Sequence, residues 1–390
     1  MKQRNNAVHK TNPHVQESSF SVLYDYQIFG IQRFGGISRY FCEIIRRLNS
    51  RWDIGIWFSI NYYLTTWHLG KHLIPIPRFI LKHYKKYCEQ KNRELTIRLL
   101  QEKKNYIFHP TYYNSYFLKY IGNYPYVITV HDMIHEIFPE FCSDSDIMIQ
   151  EKKETITRAT RIIAISENTK RDIIRLLHID ADKIDVIYHG TSMRPFSGKQ
   201  RLKLPERFLL YVGDRTPYKN FDRFIKAFSI LQKNDPDLYV VCTGHSIKRP
   251  EKEALSRLGV LDRIVHIKAS DQALSELYSR ASLFVYPSLY EGFGIPILEA
   301  YACHCPLALS NTSCFPEIAG EAGCYFNPYS EESIAQAVKS VLYDPQKREA
   351  LIKAGSERLQ MYSWGKTAQK TEAVYRKAYQ ASQKECTFKE

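Results

Sequence analysis

Glu291 and Glu299 frame the run Ser288-Leu289-Tyr290-Glu291-Gly292-Phe293-Gly294-Ile295-Pro296-Ile297-Leu298-Glu299-Ala300. Gly292 and Gly294 let the backbone approach a ligand without a Cβ in the way. Pro296 suits the first turn of a helix, where its missing N–H costs nothing. The free amides and positive end of that helix face whatever lies beyond the preceding strand, which suits a phosphate or a polar sugar. Were the span helical throughout, ~100° per residue would bring the second carboxylate within about 80° of the first. Two acceptors at different depths fit a polyhydroxy ligand such as a hexose joined to a ribose. The plainer alternative is a turn and a helix with one solvated and one capping glutamate.

Three further segments carry polar groups at predicted strand ends. In Tyr211-Val212-Gly213-Asp214-Arg215-Thr216-Pro217-Tyr218-Lys219-Asn220, Gly213 permits a tight exit from a strand. Arg215 and Lys219 set a planar fork and a point charge together, complementary to a diphosphate. The second glycine and the Ser/Thr of a P-loop are missing. Gly35 and Gly36, in Gln32-Arg33-Phe34-Gly35-Gly36-Ile37-Ser38-Arg39-Tyr40, leave amides and space for a phosphate or sugar without the full dinucleotide fingerprint. After Tyr126-Val127-Ile128-Thr129-Val130 come His131 and Asp132, a histidine poised to donate to an oxygen or relay a proton and an acid able to orient it. The sequence His131-Asp132-Met133-Ile134-His135-Glu136 is not H-E-x-x-H, and no metal is expected. His109, at another strand end, is placed on the acceptor side of the same cleft, with a packed structural histidine as the alternative.

The elements that must hold these groups alternate apolar strands with amphipathic helices, the rhythm of parallel βαβ units. One set of strands is expected at 21–24, 54–60, 106–108, 126–130, 161–165 and 185–188. A second is expected at 208–212, 238–243, 264–267, 283–286, 307–310 and 324–326. Apolar residues at Ile37, Tyr40, Phe41, Ile44, Ile45 and Leu48 form a helical stripe, and 62–100 reads mostly helical and basic. The polar stretch 191–205 separates the sets as a linker. The fold class is therefore α/β, two doubly wound domains facing each other, with ligands expected beyond the carboxyl ends of their strands.

Composition agrees. At 390 residues, with 44% hydrophobic and 25% charged residues, the chain has a globular balance and room for two domains. No window approaches the ~18–20 apolar residues of a membrane-spanning helix. Residues 1–18 are polar without an apolar core, so no secretory leader is expected there. The nine cysteines are scattered and read as reduced core thiols, which places the chain in the cytoplasm. The first hundred residues hold 16 Lys/Arg against 6 Asp/Glu, so +10 of the net +14 lies there. The densest cluster is Arg78, Lys82, Lys85, Lys86, Lys91, Arg93 and Arg98, interleaved with Leu81, Tyr84, Tyr87 and Leu99. It is either a solvated helix face or a surface for anionic lipid head groups. No nucleic-acid motif accompanies it, and nucleic acid is not expected as a partner.

In order along the chain, Phe34-Gly35-Gly36-Ile37-Ser38-Arg39-Tyr40, His131-Asp132, Ile165-Ser166-Glu167-Asn168-Thr169, Tyr188-His189-Gly190, Val212-Gly213-Asp214-Arg215 with Lys219-Asn220, and Glu291 through Glu299 resemble the family 4 retaining glycosyltransferases of the GT-B fold. The likeness is colinear over roughly residues 20 to 380, and the opening residues 23–29 look like those of bacterial surface-polysaccharide enzymes, many of them mannosyltransferases. The resemblance implies two Rossmann-like domains across a cleft: 1–190 on the acceptor side, a linker 191–205, 206–363 for the nucleotide-sugar, and 364–390 as a helix crossing back. It implies that Glu299 holds the ribose and that Glu291, with the amides around Phe293, Gly294 and Ile295, holds the transferred sugar. Arg215 and Lys219 would neutralise the diphosphate beside Gly213, Gly35 and Gly36 would approach it from the facing domain, and His131 would contact the sugar. His109 and Asp132 would belong to the acceptor side.

No cofactor is implied; the donor, GDP-mannose or a UDP-hexose, is a substrate. The acceptor would be a saccharide or a lipid-linked one in lipopolysaccharide-type assembly, and an anionic membrane surface is a candidate partner for a cytoplasmic enzyme at the inner face of the plasma membrane. The alternatives are a nucleotide-sugar epimerase or hydrolase of the same fold, and a non-catalytic nucleotide- or polyanion-binding protein. Two positions depart from the family pattern: Asn220 stands where many members carry Gly, and Asp214 puts an acid near the diphosphate.

Overall fold

The computed structural model describes residues 20–74, 76–102, 105–141, 145–199 and 201–387. The polar opening segment 1–18 and the last three residues of the expected closing helix lie outside them. In the first lobe the strands are β1 (Ser21–Tyr24), β2 (Arg51–Ile54), β3 (Tyr106–His109), β4 (Val127–Val130), β5 (Arg161–Ala164) and β6 (Ile184–Val186). They form two parallel ladders, β2-β1-β3 and β4-β5-β6, joined by a single parallel bridge between Phe108 and Tyr126. The second lobe holds one continuous parallel sheet of β7 (Phe208–Tyr211), β8 (Tyr239–Cys242), β9 (Ile264–His266), β10 (Leu283–Tyr286), β11 (Leu307–Ser310) and β12 (Cys324–Phe326), in the order β12-β11-β10-β7-β8-β9.

The central strands are apolar at every position because helices cover both faces of a parallel sheet. In β7, Phe208 and Leu210 join one core cluster while Leu209 and Tyr211 join the other, the period-two alternation of a strand sandwiched between layers. The order in which strands are added to the second sheet reverses between β7 and β10, which pair parallel. That switch point is where a doubly wound sheet opens a crevice, and the loops carrying Lys219 and Glu291 leave these two strands.

The helix Trp364–Thr387 packs on the first lobe, not the second. Its Tyr375 is fully buried there, and the Tyr375 hydroxyl lies 2.7 Å from both the Tyr24 hydroxyl and His109 Nδ1. Ser50 Oγ donates to Glu372 of the same helix at 2.6 Å.

Two stretches differ from expectation. The strand expected at 54–60 is β2, ending at Ile54. Beyond it the amides of Trp57 and Phe58 donate to Asn92 Oδ1 (2.8 and 2.9 Å), and Asn92 Nδ2 donates back to the Phe58 carbonyl at 2.8 Å. A side-chain amide thus takes the bonds a neighbouring strand would have taken. The region 62–100 is three helices, Tyr62–Thr66, Arg78–His83 and Lys85–Glu102, not one run. Pro77, at the cap of the second, is among the residues that break it.

Candidate active site

Glu291 sits in the loop after β10, buried, and accepts from Lys219 Nζ at 2.5 Å. Burial works against the Lys219 charge, but Glu291 outweighs it and lifts the ammonium above its usual range, so Lys219 stays charged. Gly294 caps the following helix, Ile295–Ala302, with φ 85°, a left-handed conformation glycine adopts without penalty. Pro296 lies in the first turn. The free amides of that turn therefore open beside the Glu291–Lys219 pair. Glu291 lies outside the helix and Glu299 inside it, so the continuous helical wheel does not apply.

The first lobe meets this loop directly. A Cβ on Gly292 would stand 1.7 Å from the His131 carbonyl oxygen, so no other residue fits without separating the lobes. The Gly292 carbonyl accepts from Ser166 Oγ at 2.6 Å, and Tyr290 donates to Asp172 at 2.7 Å. Glu317 of the second lobe accepts from the backbone amides of Glu167 and Asn168 (2.6 and 2.9 Å), capping the helix Glu167–Leu177 across the boundary. A Cβ on Gly36 would lie 3.9 Å from Ile295 Cδ1, so the Gly-Gly turn sits against the start of the glutamate helix. Phe293 is buried against His189 (ring centroids 4.8 Å).

His131 is buried, and burial pushes its pKa down to about 4, Asp132 working against this and Lys152 with it. It is therefore neutral at physiological pH, and its Nε2 is buried without a protein partner. Asp132 accepts from the Ile134 amide at 3.1 Å and lies 3.9 Å from Lys152 Nζ, which also donates to Glu136 at 2.9 Å. Lys152 is wholly buried, and sequence reading missed it. Among the described residues no group of three His, Cys, Asp or Glu is placed to share a metal ion.

The expectation for His109 is corrected, and Arg215 carries partners of its own within the second lobe. Its Nε donates to Glu251 at 2.6 Å, one terminal nitrogen to the Thr243 carbonyl at 3.0 Å and the other to the His245 carbonyl. Because Glu251 and two carbonyls hold the fork, Arg215 ties the turn after β7 to the helix Arg249–Arg257 and leaves Lys219 as the cation beside Glu291. His109 does not face the cleft: it is fully buried, its two ring nitrogens held by Tyr375 and by Thr129 (3.0 Å). An apolar strand flanked on both faces leaves even its last residue inside the core.

The two family departures also have physical readings. Asn220 has φ 58°, the left-handed region that asparagine tolerates better than most residues, and its amide donates to the Pro287 and Pro328 carbonyls (3.0 and 2.8 Å). Asp214 turns to His245, 2.7 Å away.

Glu299 is buried and accepts from the Tyr278 hydroxyl at 3.2 Å. Separately, a cavity of about 550 Å³ lies beyond the carboxyl ends of β1, β2 and β3, lined by residues that include Tyr26, Gln27, Phe58, Lys85, Tyr112 and Glu151.

Compared with known proteins, the chain matches two family profiles end to end. "Glycosyltransferase Family 4" matches residues 34–194 and "Glycosyl transferases group 1" matches residues 193–358. The chain belongs to these glycosyltransferases. It is therefore a group-transfer enzyme, and the epimerase, hydrolase and non-catalytic alternatives fall away. Among its relatives, O-antigen chain mannosyltransferase B of Escherichia coli is 28% identical over 295 residues, 71% of this chain and 76% of that protein. O-antigen chain mannosyltransferase RfbU of Salmonella typhimurium is 30% identical over 215 residues, 55% of this chain and 60% of that protein. The fold matches that of Anabaena HepE in complex with UDP-glucose, with a TM-score of 0.70 over 91% of this chain and 99% of that one at 17% identity. The GT-B architecture of two Rossmann-like lobes is thus established.

Proposed function

We propose that this glycosyltransferase moves a hexose, with mannose the first choice, from a nucleotide-sugar to a saccharide or lipid-linked acceptor in surface-polysaccharide assembly. Transfer would retain the anomeric configuration and need no metal ion. The observation that carries the reading is the Lys219–Glu291 pair at the mouth of the helix Ile295–Ala302, pressed against His131 of the facing lobe. The names of the E. coli and Salmonella relatives support mannose and the polysaccharide pathway.

On this reading the leaving diphosphate gains charge as the glycosidic bond breaks. Lys219 and the helix amides, already oriented, stabilise that charge more in the transition state than before it. Glu291 accepts from hydroxyls of the transferred sugar, and neutral His131 offers its unpartnered Nε2 to another. Glu299 takes the ribose. Arg215 acts as a brace for the turn that carries Lys219. The cavity beyond β1–β3 receives the acceptor, aromatic faces for sugar rings and Lys85 for an anionic group.

Thermal denaturation across a panel of nucleotide-sugars tests the reading. A bound donor at about 100 times its Kd adds ~2.7 kcal/mol to stability; GDP-mannose should raise the midpoint most. No response to any nucleotide-sugar would refute the proposal.

We further propose a peripheral position at the inner membrane face. Among the described residues no helix is long and apolar enough to cross a membrane. Phe79 is 74% exposed, and Tyr84 and Tyr87 are exposed beside Lys82, Lys85 and Lys86, an arrangement suited to anionic head groups. The protein should sediment with anionic liposomes at low salt and release at high salt; absence from the pellet at low salt would count against it.

A further inference from the structure

Arg39 lies one helical turn beyond Gly36 in the helix Gly36–Ile45, on the same face. Gly36 brings that face against the second lobe, and Arg39 reaches across the boundary. One terminal nitrogen lies 3.6 Å from Glu299 Oε1 and 3.7 Å from Asp271 Oδ2. Charge-assisted hydrogen bonds normally close to ~2.7–2.9 Å, so neither contact is fully formed. Arg39 Nε is buried without a partner, although buried polar groups are nearly always paired. The guanidinium also stands 5.9 Å from the Tyr63 ring centroid. A cavity of about 300 Å³ opens against it, lined also by Arg194, Phe196, Asp271, Gln272 and Ser275. A partly buried cation with spare donors, loosely set between two acids of the opposite lobe and beside open space, is arranged for something to enter.

We infer that Arg39 is a positioning residue of the donor site, keeping Glu299 charged as an acceptor for donor hydroxyls and coupling donor capture to contact between the lobes. The inference rests on the assignment of Glu299 to the ribose. Burial pushes the Glu299 carboxyl above its usual range, with Arg39 pulling it down and Asp271 pushing it up. A protonated Glu299 has lost an acceptor lone pair and its negative charge and carries a competing donor, so it would hold a ribose diol less well. The groups facing Glu299 are Arg39 and Tyr63 from the first lobe, Asp271 and Tyr278 from the helix Asp271–Arg280, and Cys303 beyond its own helix. Burial keeps Tyr63, Tyr278 and Cys303 neutral below pH 8. Arg39 and Asp271 are thus the charges that set its ionisation, with opposite signs.

The test measures the affinity for GDP-mannose and UDP-glucose by calorimetry from pH 4 to 8, in the wild type, Arg39→Ala, Arg39→Lys and Asp271→Asn. Arg39→Ala should weaken donor binding ~10-fold at neutral pH, and its loss of binding on acidification should begin about one pH unit higher, the scale on which a neighbouring arginine moves a carboxylate. Arg39→Lys should restore the wild-type acid limb. Asp271→Asn should move the limb the other way by a smaller amount, since Asp271 is half exposed and screened. A purely structural role for Arg39 would lower stability without producing these opposed shifts. Wild-type affinity and an unmoved acid limb in Arg39→Ala would overturn the inference. If that variant fails to fold, an unmoved limb in Asp271→Asn overturns it. A wild type that binds neither sugar nucleotide would instead overturn the donor assignment itself.

Discussion

The two lobes share one architectural plan and hold it differently. The second lobe is a single six-stranded sheet between two apolar clusters, one on each face. The first is two three-stranded ladders meeting at one bridge, stitched by side chains: Asn92 in place of a strand partner, and the chain of contacts from Tyr24 through Tyr375, His109 and Thr129 to the Tyr40 hydroxyl (3.0 Å). Backbone ladders give a stiff platform whose loops are fixed by strand geometry, which suits a donor site that must be preorganised. Side-chain stitching gives a lobe whose integrity depends on a few buried polar atoms each being satisfied.

Removing the helix Trp364–Thr387 should have the largest effect, falling on the first lobe alone. The first lobe would lose Tyr375, Val374 and Trp364 from its core, and His109 and Tyr24 would each lose a hydrogen-bond partner. The truncated chain should unfold in its first lobe while the second keeps its amide-exchange protection. Equal protection in both lobes would contradict the division. Lys219→Ala should act the opposite way, leaving the first lobe's protection intact and loosening only the loop around the stranded Glu291, while kcat falls ~10²–10³-fold, the effect of removing one preorganised donor to a developing charge. Unchanged turnover would remove Lys219 from the mechanism.

Acid should separate the lobes more gently. Burial, with a smaller part from His131, pushes His109 down to about 3. Burial likewise holds His189 well below the usual histidine range. The unfolded chain takes up protons on these rings near pH 6.5 while the folded chain does not. Their contribution to stability is therefore complete above pH 6.5 and shrinks as pH falls towards the folded values. His109 alone accounts for roughly 3 kcal/mol of that loss by pH 4. Denaturant titrations of His109→Gln should show a weaker dependence between pH 6.5 and 4 than the wild type. An identical slope would mean that the ring is already charged in the folded state.

How much the residues disclosed follows the same division. The loop Glu291–Gly294 and the helix with Pro296 in its first turn depend on glycine, proline and strand-end rules that act over a few positions, and they stand out in the sequence, whereas the Lys219–Glu291 pair, 72 positions apart, does not. What stayed hidden depends on distant partners. Nothing near Arg215 announces that Glu251 and two carbonyls will claim its guanidinium. Nothing near His109 reveals the hydroxyl of Tyr375, 266 positions away. Lys152 reads as one more polar residue in the helix Ser145–Thr157 until the fold seals it against Glu136. Strand β2 was shifted because Asn92, far along the chain, supplies what a neighbouring strand would have supplied.

The contact between the hydroxyls of Tyr24 and Tyr375 spans 351 positions. At the ~5–20 residues per second of translation, Tyr24 emerges from the ribosome roughly 20–70 s before Tyr375, its partner in the closing helix. During that interval the strand carrying Tyr24 and the ring of His109 lack the surface that shields them, while the carboxy-terminal half can close on its own sheet as soon as its last strand appears. Synthesis runs from one end, yet completion runs from the other: the half made first is finished last.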